Sequence, residues 1–265
     1  MIIDTHSHYD DEAYDADRET VINSLKGHGV ELVVDIGADM ESSRAAVKLA
    51  GRYENVYAAV GCHPNDVEKL TEADLRWMYE TALTEKKVLA VGEIGLDYHY
   101  PEPSPEVQKE WFTKQLDLAL KLKLPVCIHS RNAAADTLAM IKDKYAGAGK
   151  KGETLTGVIH CFSYGVEIAN EYLKMGFFLG IGGVSTFKNE KKLRQVVKAA
   201  PLGQLVLETD CPYLTPEGHR GERNVSWYLD EVAEKIAEFK EITAEEVIKA
   251  TSENAHKLYP RLNKA

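Results

Sequence analysis

Short apolar runs alternate with longer charged segments along the whole chain. The runs lie at 2–6, 32–36, 56–60, 88–93, 126–129, 157–160, 177–181 and 205–210. They are too short and too continuous for amphipathic helices, and read as strands buried on both faces. The segments at 17–27, 41–52, 72–85, 106–122, 132–144, 165–175, 189–199 and 226–239 carry longer-period apolar spacing and read as helices. This alternation predicts a parallel sheet with helices outside it. Eight such units in 265 residues predict an α/β fold, the (β/α)8 TIM barrel, with a doubly wound open sheet as the competing topology. Ser104-Pro105 places a cap residue before a proline at a first helical position. In the helix that follows, Val107, Trp111, Leu118 and Leu122 share one face. Pro125 opens a strand and Pro201 stops the seventh helix. Thr243 and Glu246 form a capping box for an additional C-terminal helix over 244–258, covering the barrel's exterior or its base. The stretch 146–153, with Gly147, Gly149 and Gly152 beside Lys150 and Lys151, reads as an exposed loop. With no linker or low-complexity tract, residues 1–265 are expected to form one domain.

Composition narrows the function classes. No stretch reaches the ~18 apolar residues of a membrane span, and the first residues lack a secretory pattern, so the chain is expected in the cytoplasm and away from membranes. A net charge of −10 argues against a broad electrostatic footprint on duplex nucleic acid. It leaves room for a strand held locally by a few cations and metal ions. Cys62, Cys127, Cys161 and Cys211 form no Cys-x-x-Cys pair and are expected as free thiols.

The candidate chemistry gathers where strands end. His6 closes the first run and His8 follows. Alternate residues of a strand share a side, so these imidazoles, about 7 Å apart along the strand, can turn toward one ion, with Asp4 a layer behind. His63 follows the third run, Glu93 ends the fourth, His129 the fifth, His160 the sixth, and Glu208 and Asp210 the eighth. All stand at C-terminal strand ends, the face where barrel enzymes carry their active sites. Carboxylates gathered there would raise one another's pKa unless cations lay between them, so the set reads as a metal centre.

The motifs Asp4-Thr5-His6-Ser7-His8, Gly61-x-His63-Pro64, Gly92-Glu93-Ile94-Gly95-Leu96-Asp97, His129-Ser130-Arg131, His160-Cys161-Phe162 and Glu208-Thr209-Asp210-x-Pro212-Tyr213-Leu214 resemble those of the TatD-type metal-dependent deoxyribonucleases of the amidohydrolase superfamily. The resemblance covers nearly the whole chain. It implies that His6, His8, Glu93 and Asp210 hold one divalent metal ion, and Glu93, His129 and His160 a second. Glu93 then bridges, where many relatives use a carbamylated lysine. It implies a hydrolase that cleaves DNA phosphodiester bonds, acting exonucleolytically on single-stranded ends. Zinc, manganese, iron or nickel suit the imidazole-rich set, and magnesium less so. Asp210 is expected to accept the proton of the attacking water, Glu208 to orient a ligand, and His63 to meet phosphate or the leaving oxygen. Arg131, Lys188 and Arg223 are candidate substrate contacts. Phe162, Tyr164 and Phe187 are candidate stacking surfaces for an unpaired base. His99 lies near the mouth without a role. No obligate protein partner is evident.

Two departures from the family pattern stand out. Ser226 replaces the proline of Arg-Asn-x-Pro, and Tyr164 enters the usual Phe-Ser-Gly. Both bear on substrate preference, and neither removes a ligand. The alternative function is hydrolysis of a small amide, ester or aminoacyl bond, because scaffold and ligands would be shared.

Overall fold

The apolar runs form eight parallel strands paired in chain order in the computed structural model, which describes residues 1–264. They are β1 (Ile2–Ser7), β2 (Val30–Ile36), β3 (Val56–Val60), β4 (Val88–Asp97), β5 (Val126–Arg131), β6 (Gly157–Ile159), β7 (Phe178–Ile181) and β8 (Leu205–Leu207). The first and last strands meet beyond β8. The Asp210 amide donates to the His6 carbonyl (2.9 Å) and the His8 amide to the Cys211 carbonyl (2.8 Å). That closure makes a barrel and rules out the open sheet. Between the strands run α1 (Arg18–Ser24), α2 (Met40–Arg52), α3 (Glu72–Thr84), α4 (Pro105–Leu122), α5 (Ala134–Lys150), α6 (Val166–Lys174) and α7 (Lys191–Ala199), with α8 (Leu229–Lys240) and α9 (Ala244–Leu258) after β8.

Apolar side chains form two layers. Ile3, Val34, Leu89, Cys127, Val158, Phe178 and Val206 fill the barrel. Val33, Val91, Ile128, Leu179 and Leu207 pack outward against the helices. The α9 helix, capped as expected by Thr243 and Glu246, takes the base rather than the exterior. Ser252 donates to the Met1 carbonyl, Asn254 to those of Leu202 and Leu205, and Arg261 to that of Val88. These carbonyls lie where strands begin. The plug leaves the opposite, C-terminal end of the strands open. No helix among the described residues is long and apolar enough to cross a membrane.

One expectation fails locally. Residues 146–150 continue α5 instead of forming a loop. Ala148 is buried against the core, and that contact outweighs the weak helix preference of Gly147 and Gly149. Only the Lys151–Gly152 turn remains, with Gly152 at φ +72°. In α4, Val107, Trp111, Leu118 and Leu122 all pack against the core, together with Phe112, Leu116 and Ala119. Two glutamines share the inner face. Gln115 accepts from the Cys62 amide (2.8 Å) and donates to its carbonyl (3.1 Å). Gln108 does the same for Asp97, at 2.8 Å each way. An apolar period assigns glutamine to the surface. Here it satisfies backbone groups at the ends of β3 and β4 that would otherwise be orphaned.

Candidate metal centre

The β1 histidines reach the barrel mouth through a bulge. Pairing with β2 runs Asp4–Val33 and then Ser7–Asp35, one residue extra in β1. An extra residue reverses which side chains face inward. His6 therefore points into the barrel, with Nδ1 3.2 Å from Cys127 Sγ. Asp4 does not sit behind the imidazoles. It binds the hydroxyls of Thr209 and Ser226, each at 2.6 Å. Ser226, where the family pattern has proline, thus completes a buried network that also includes Tyr9. Burial raises the Asp4 pKa to about 6 despite these bonds.

Each ligand's geometry follows from its neighbours. His8 Nδ1 lies 2.9 Å from the Ile36 carbonyl, so this nitrogen keeps its hydrogen and Nε2 is the one an ion can claim by displacing a proton. That atom is 3.1 Å from His6 Nε2 and 3.3 Å from Asp210 Oδ1. His6 Nε2 lies 3.5 Å from both Asp210 Oδ1 and Glu93 Oε2. An ion with donors at about 2.1 Å needs donor–donor edges of about 3.0–3.4 Å; these edges lie within or just above that range, and the His8 Nε2–Glu93 Oε2 edge, at 4.0 Å, would have to tighten around a shared divalent cation. The other Glu93 oxygen faces a second group. Oε1 is 2.9 Å from His129 Nδ1, 3.9 Å from His63 Nε2 and 4.0 Å from His160 Nε2. His160 Nε2 is also 3.6 Å from Asp210 Oδ1, and its ring stacks on His6 at 3.5 Å.

Outer carboxylates flank two of these rings. His129 Nε2 donates to Asp97 Oδ2 (3.1 Å), which turns Nδ1 toward Glu93. Asp97 itself is held by the His99 amide (2.8 Å). The strand-end pattern alone assigns Asp97 no role. Its signal was position: with Glu93 it has the same strand parity, four residues on. Glu208 Oε1 stands 3.0 Å from His160 Nδ1 and accepts the Cys161 amide. Gly180 makes room for it, since a Cβ there would collide with the Glu208 carboxylate.

The electrostatics are those of a cluster that wants cations. For Glu93, burial works against ionisation, but hydrogen bonds from His129 and His6 overcome it and hold the carboxyl well below its usual range. Burial likewise opposes charging of His8 and His160. The Asp210 carboxylate lifts His8 to about 10, and the Glu208 and Asp210 charges lift His160 to about 9. Burial pushes His63 down to about 4. Its Nδ1 accepts from the Asn65 amide (3.2 Å), so neutral His63 presents Nε2–H inward.

The centre opens into a cavity of about 630 Å³ lined by His8, His63, Glu93, His129, His160 and Asp210, with Arg131 beside them. Its rim carries Asp10, Asp11 and Asp39. Three expected substrate contacts are turned elsewhere. Phe162 is 1% exposed and has no free face. Arg223 makes two 2.7 Å bonds to Asp17 and stacks on Tyr14, tying the loop after β8 to the start of α1. Lys188 projects into solvent, 4.0 Å from Glu217. Tyr164 bonds Ser130 through its hydroxyl (3.0 Å), and Phe187 lies under Arg220. All four cysteines are free.

Known proteins share this architecture. The family described as TatD related DNase matches residues 3–260. The chain is 44% identical over 263 residues to the uncharacterized metal-dependent hydrolase YabD of Bacillus subtilis, covering 99% of this chain and 100% of that one. It is 32% identical over 263 residues to the uncharacterized metal-dependent hydrolase YcfH of Escherichia coli K12, covering 98% and 96%. The crystal structure of YjjV, a TatD homologue from E. coli K12, superposes with a TM-score of 0.90 at 30% identity over 98% of each chain. The chain belongs to the TatD-related DNase family of metal-dependent hydrolases.

Proposed function

We propose that this protein is a deoxyribonuclease that cleaves a phosphodiester bond at an unpaired DNA end. In this reading His6, His8, Glu93 and Asp210 hold one divalent ion, and Glu93, His129 and His160 a second. Such ions supply Lewis-acid charge that makes water a nucleophile near neutral pH and offsets charge on the phosphodiester. The observation that carries the reading is the division of Glu93, with Oε2 3.5 Å from His6 and Oε1 2.9 Å from His129. One carboxylate faces two donor groups.

The remaining roles follow from position. Asp210 keeps 19% of its side chain exposed to the cavity and takes the proton of the attacking water. Neutral His63 donates from Nε2 to a phosphoryl or leaving oxygen. Arg131 meets no carboxylate among the described residues and is free to pair with phosphate. Asp97 and Glu208 fix the rings of His129 and His160. A cavity of small-molecule size suits one strand end, not a duplex face.

The acidic rim favours a second reading, hydrolysis of a small amide, ester or aminoacyl substrate. The test is release of nucleotides from single-stranded DNA by the purified protein, abolished by chelation and restored by zinc, manganese, iron or nickel. His129→Ala and Asp210→Ala are expected to lose at least ~100-fold. Metal-dependent turnover of esters or amides, with DNA untouched under every metal, would transfer the assignment to the second reading.

A further inference from the structure

The loop after β8 puts an aromatic ledge on the cavity's acidic side. Tyr213 is 54% exposed and Leu214 39%, and both line the cavity. Apolar groups this open at a polar mouth are available to a ligand entering the cavity. The ledge is rigid. The Tyr213 hydroxyl donates to Asp11 (2.6 Å), and its amide to the Asp210 carbonyl (2.9 Å). The buried Asn224 side chain spans the carbonyls of Thr209 (3.0 Å) and Tyr213 (2.6 Å). Leu214 sits at φ +53°, a costly conformation for a leucine. Its carbonyl packs on Gly183, where any side chain would collide. The Tyr213 ring centroid is 6.4 Å from that of His8, so the ledge adjoins the proposed metal ligands.

Charge decides what the ledge receives. Asp10 and Asp11 stand on the same side of the cavity, and Asp11 is bonded to the ring itself. A phosphate there would meet like charge, whereas a neutral planar base would not. The cation of the cavity, Arg131, extends from β5 and stacks over Tyr100, which is 51% exposed.

We infer that Tyr213, backed by Leu214, is a stacking subsite for the terminal unpaired nucleobase of the substrate. The inference rests on the nuclease reading above and adds an order to it: terminal base on Tyr213, scissile phosphate at the centre, remaining strand on the Arg131 side. Asp10 and Asp11 bar the chain from continuing past Tyr213. The end is therefore chosen by repulsion as well as by contact.

The probe is a dinucleotide with terminal 2-aminopurine and a non-hydrolysable methylenephosphonate link, titrated into metal-loaded protein. Stacking quenches its fluorescence. An abasic counterpart competing for the site is expected to bind about tenfold more weakly or worse. In Tyr213→Ala and Tyr213→Leu the quench disappears and the two affinities converge, while Tyr213→Phe keeps the quench. Thermal melting reports whether each variant is folded. Quenching that depends on the ring, with no cleavage of an ordinary dinucleotide, would uphold the subsite and overturn the nuclease reading. Cleavage with no quench, or a quench unaltered in both Tyr213→Ala and Tyr213→Leu, would overturn the subsite alone.

Discussion

Replacing Asp97 tests whether the mouth is built as two coupled shells. Its Oδ2 accepts from His129 Nε2 at 3.1 Å, and this bond fixes which nitrogen of His129 faces Glu93. A hydrogen bond to a charged group contributes about 1.5–3 kcal/mol. Loss of such an outer partner lowers metal affinity about 10–100-fold, or about 1.4–2.7 kcal/mol. Asp97→Asn keeps an acceptor but no charge, and belongs at the lower end. Asp97→Ala leaves Nε2–H unpaired and frees the His99 amide, and belongs at the upper end. The assay is titration of metal-free protein with zinc against a chelating dye, resolving two binding steps. The step that uses His129 weakens, and the step that uses His6 and His8 changes by less than ~2-fold. Equal weakening of both steps, or wild-type affinity in Asp97→Ala, would refute the reasoning.

Metal loading should release protons. In the metal-free protein His8 titrates at about 10 and His160 at about 9, so both are protonated at neutral pH and an ion must displace those protons. Apparent affinity therefore rises with pH up to about 9–10, and calorimetry in buffers of different ionisation enthalpy reads the release; none at pH 7.5 would contradict the cluster. These raised values stabilise the metal-free protein fully below the unfolded histidine value of about 6.5, and that stability is lost as pH climbs through 9 and 10. Arg131→Ala should raise KM for a phosphodiester about tenfold. Arg223→Ala should leave KM alone and cost under ~1 kcal/mol of stability, its pair with Asp17 being screened by solvent; a KM effect from Arg223 would reverse that assignment. Gly180→Ala should displace the Glu208 carboxylate, costing about 1–3 kcal/mol in a denaturant melt and weakening the metal step that uses His160. A variant with wild-type stability and affinity would show that Glu208 does not position that ring.

The barrel was legible because all eight strands are short apolar runs separated by helical spacing, and the topology adds only closure. The six proposed ligands were legible because each stands at or just past the end of an apolar run, although β4 continues beyond Glu93 to Asp97 and β5 beyond His129 to Arg131. What escaped follows from structure that carries no periodicity. The β1 bulge turned Asp4 away from the imidazoles, and no residue type announces an extra residue in a strand. Gln108 and Gln115 read as surface positions because their partners are backbone atoms of distant strands. Arg223 looked like a phosphate contact because its pairing with Asp17 spans 206 positions. Phe162 looked like a stacking surface because burial of an aromatic depends on what covers it. Tyr213, within the motif that follows β8, is left 54% exposed at the mouth.

The central claim is that Glu93 bridges two ions. Anomalous diffraction from crystals grown with zinc or manganese tests it directly. The account predicts two peaks flanking the Glu93 carboxylate, one beside His6, His8 and Asp210, the other beside His129 and His160. A single peak away from Glu93, or full metal content with no peak at this mouth, would contradict it.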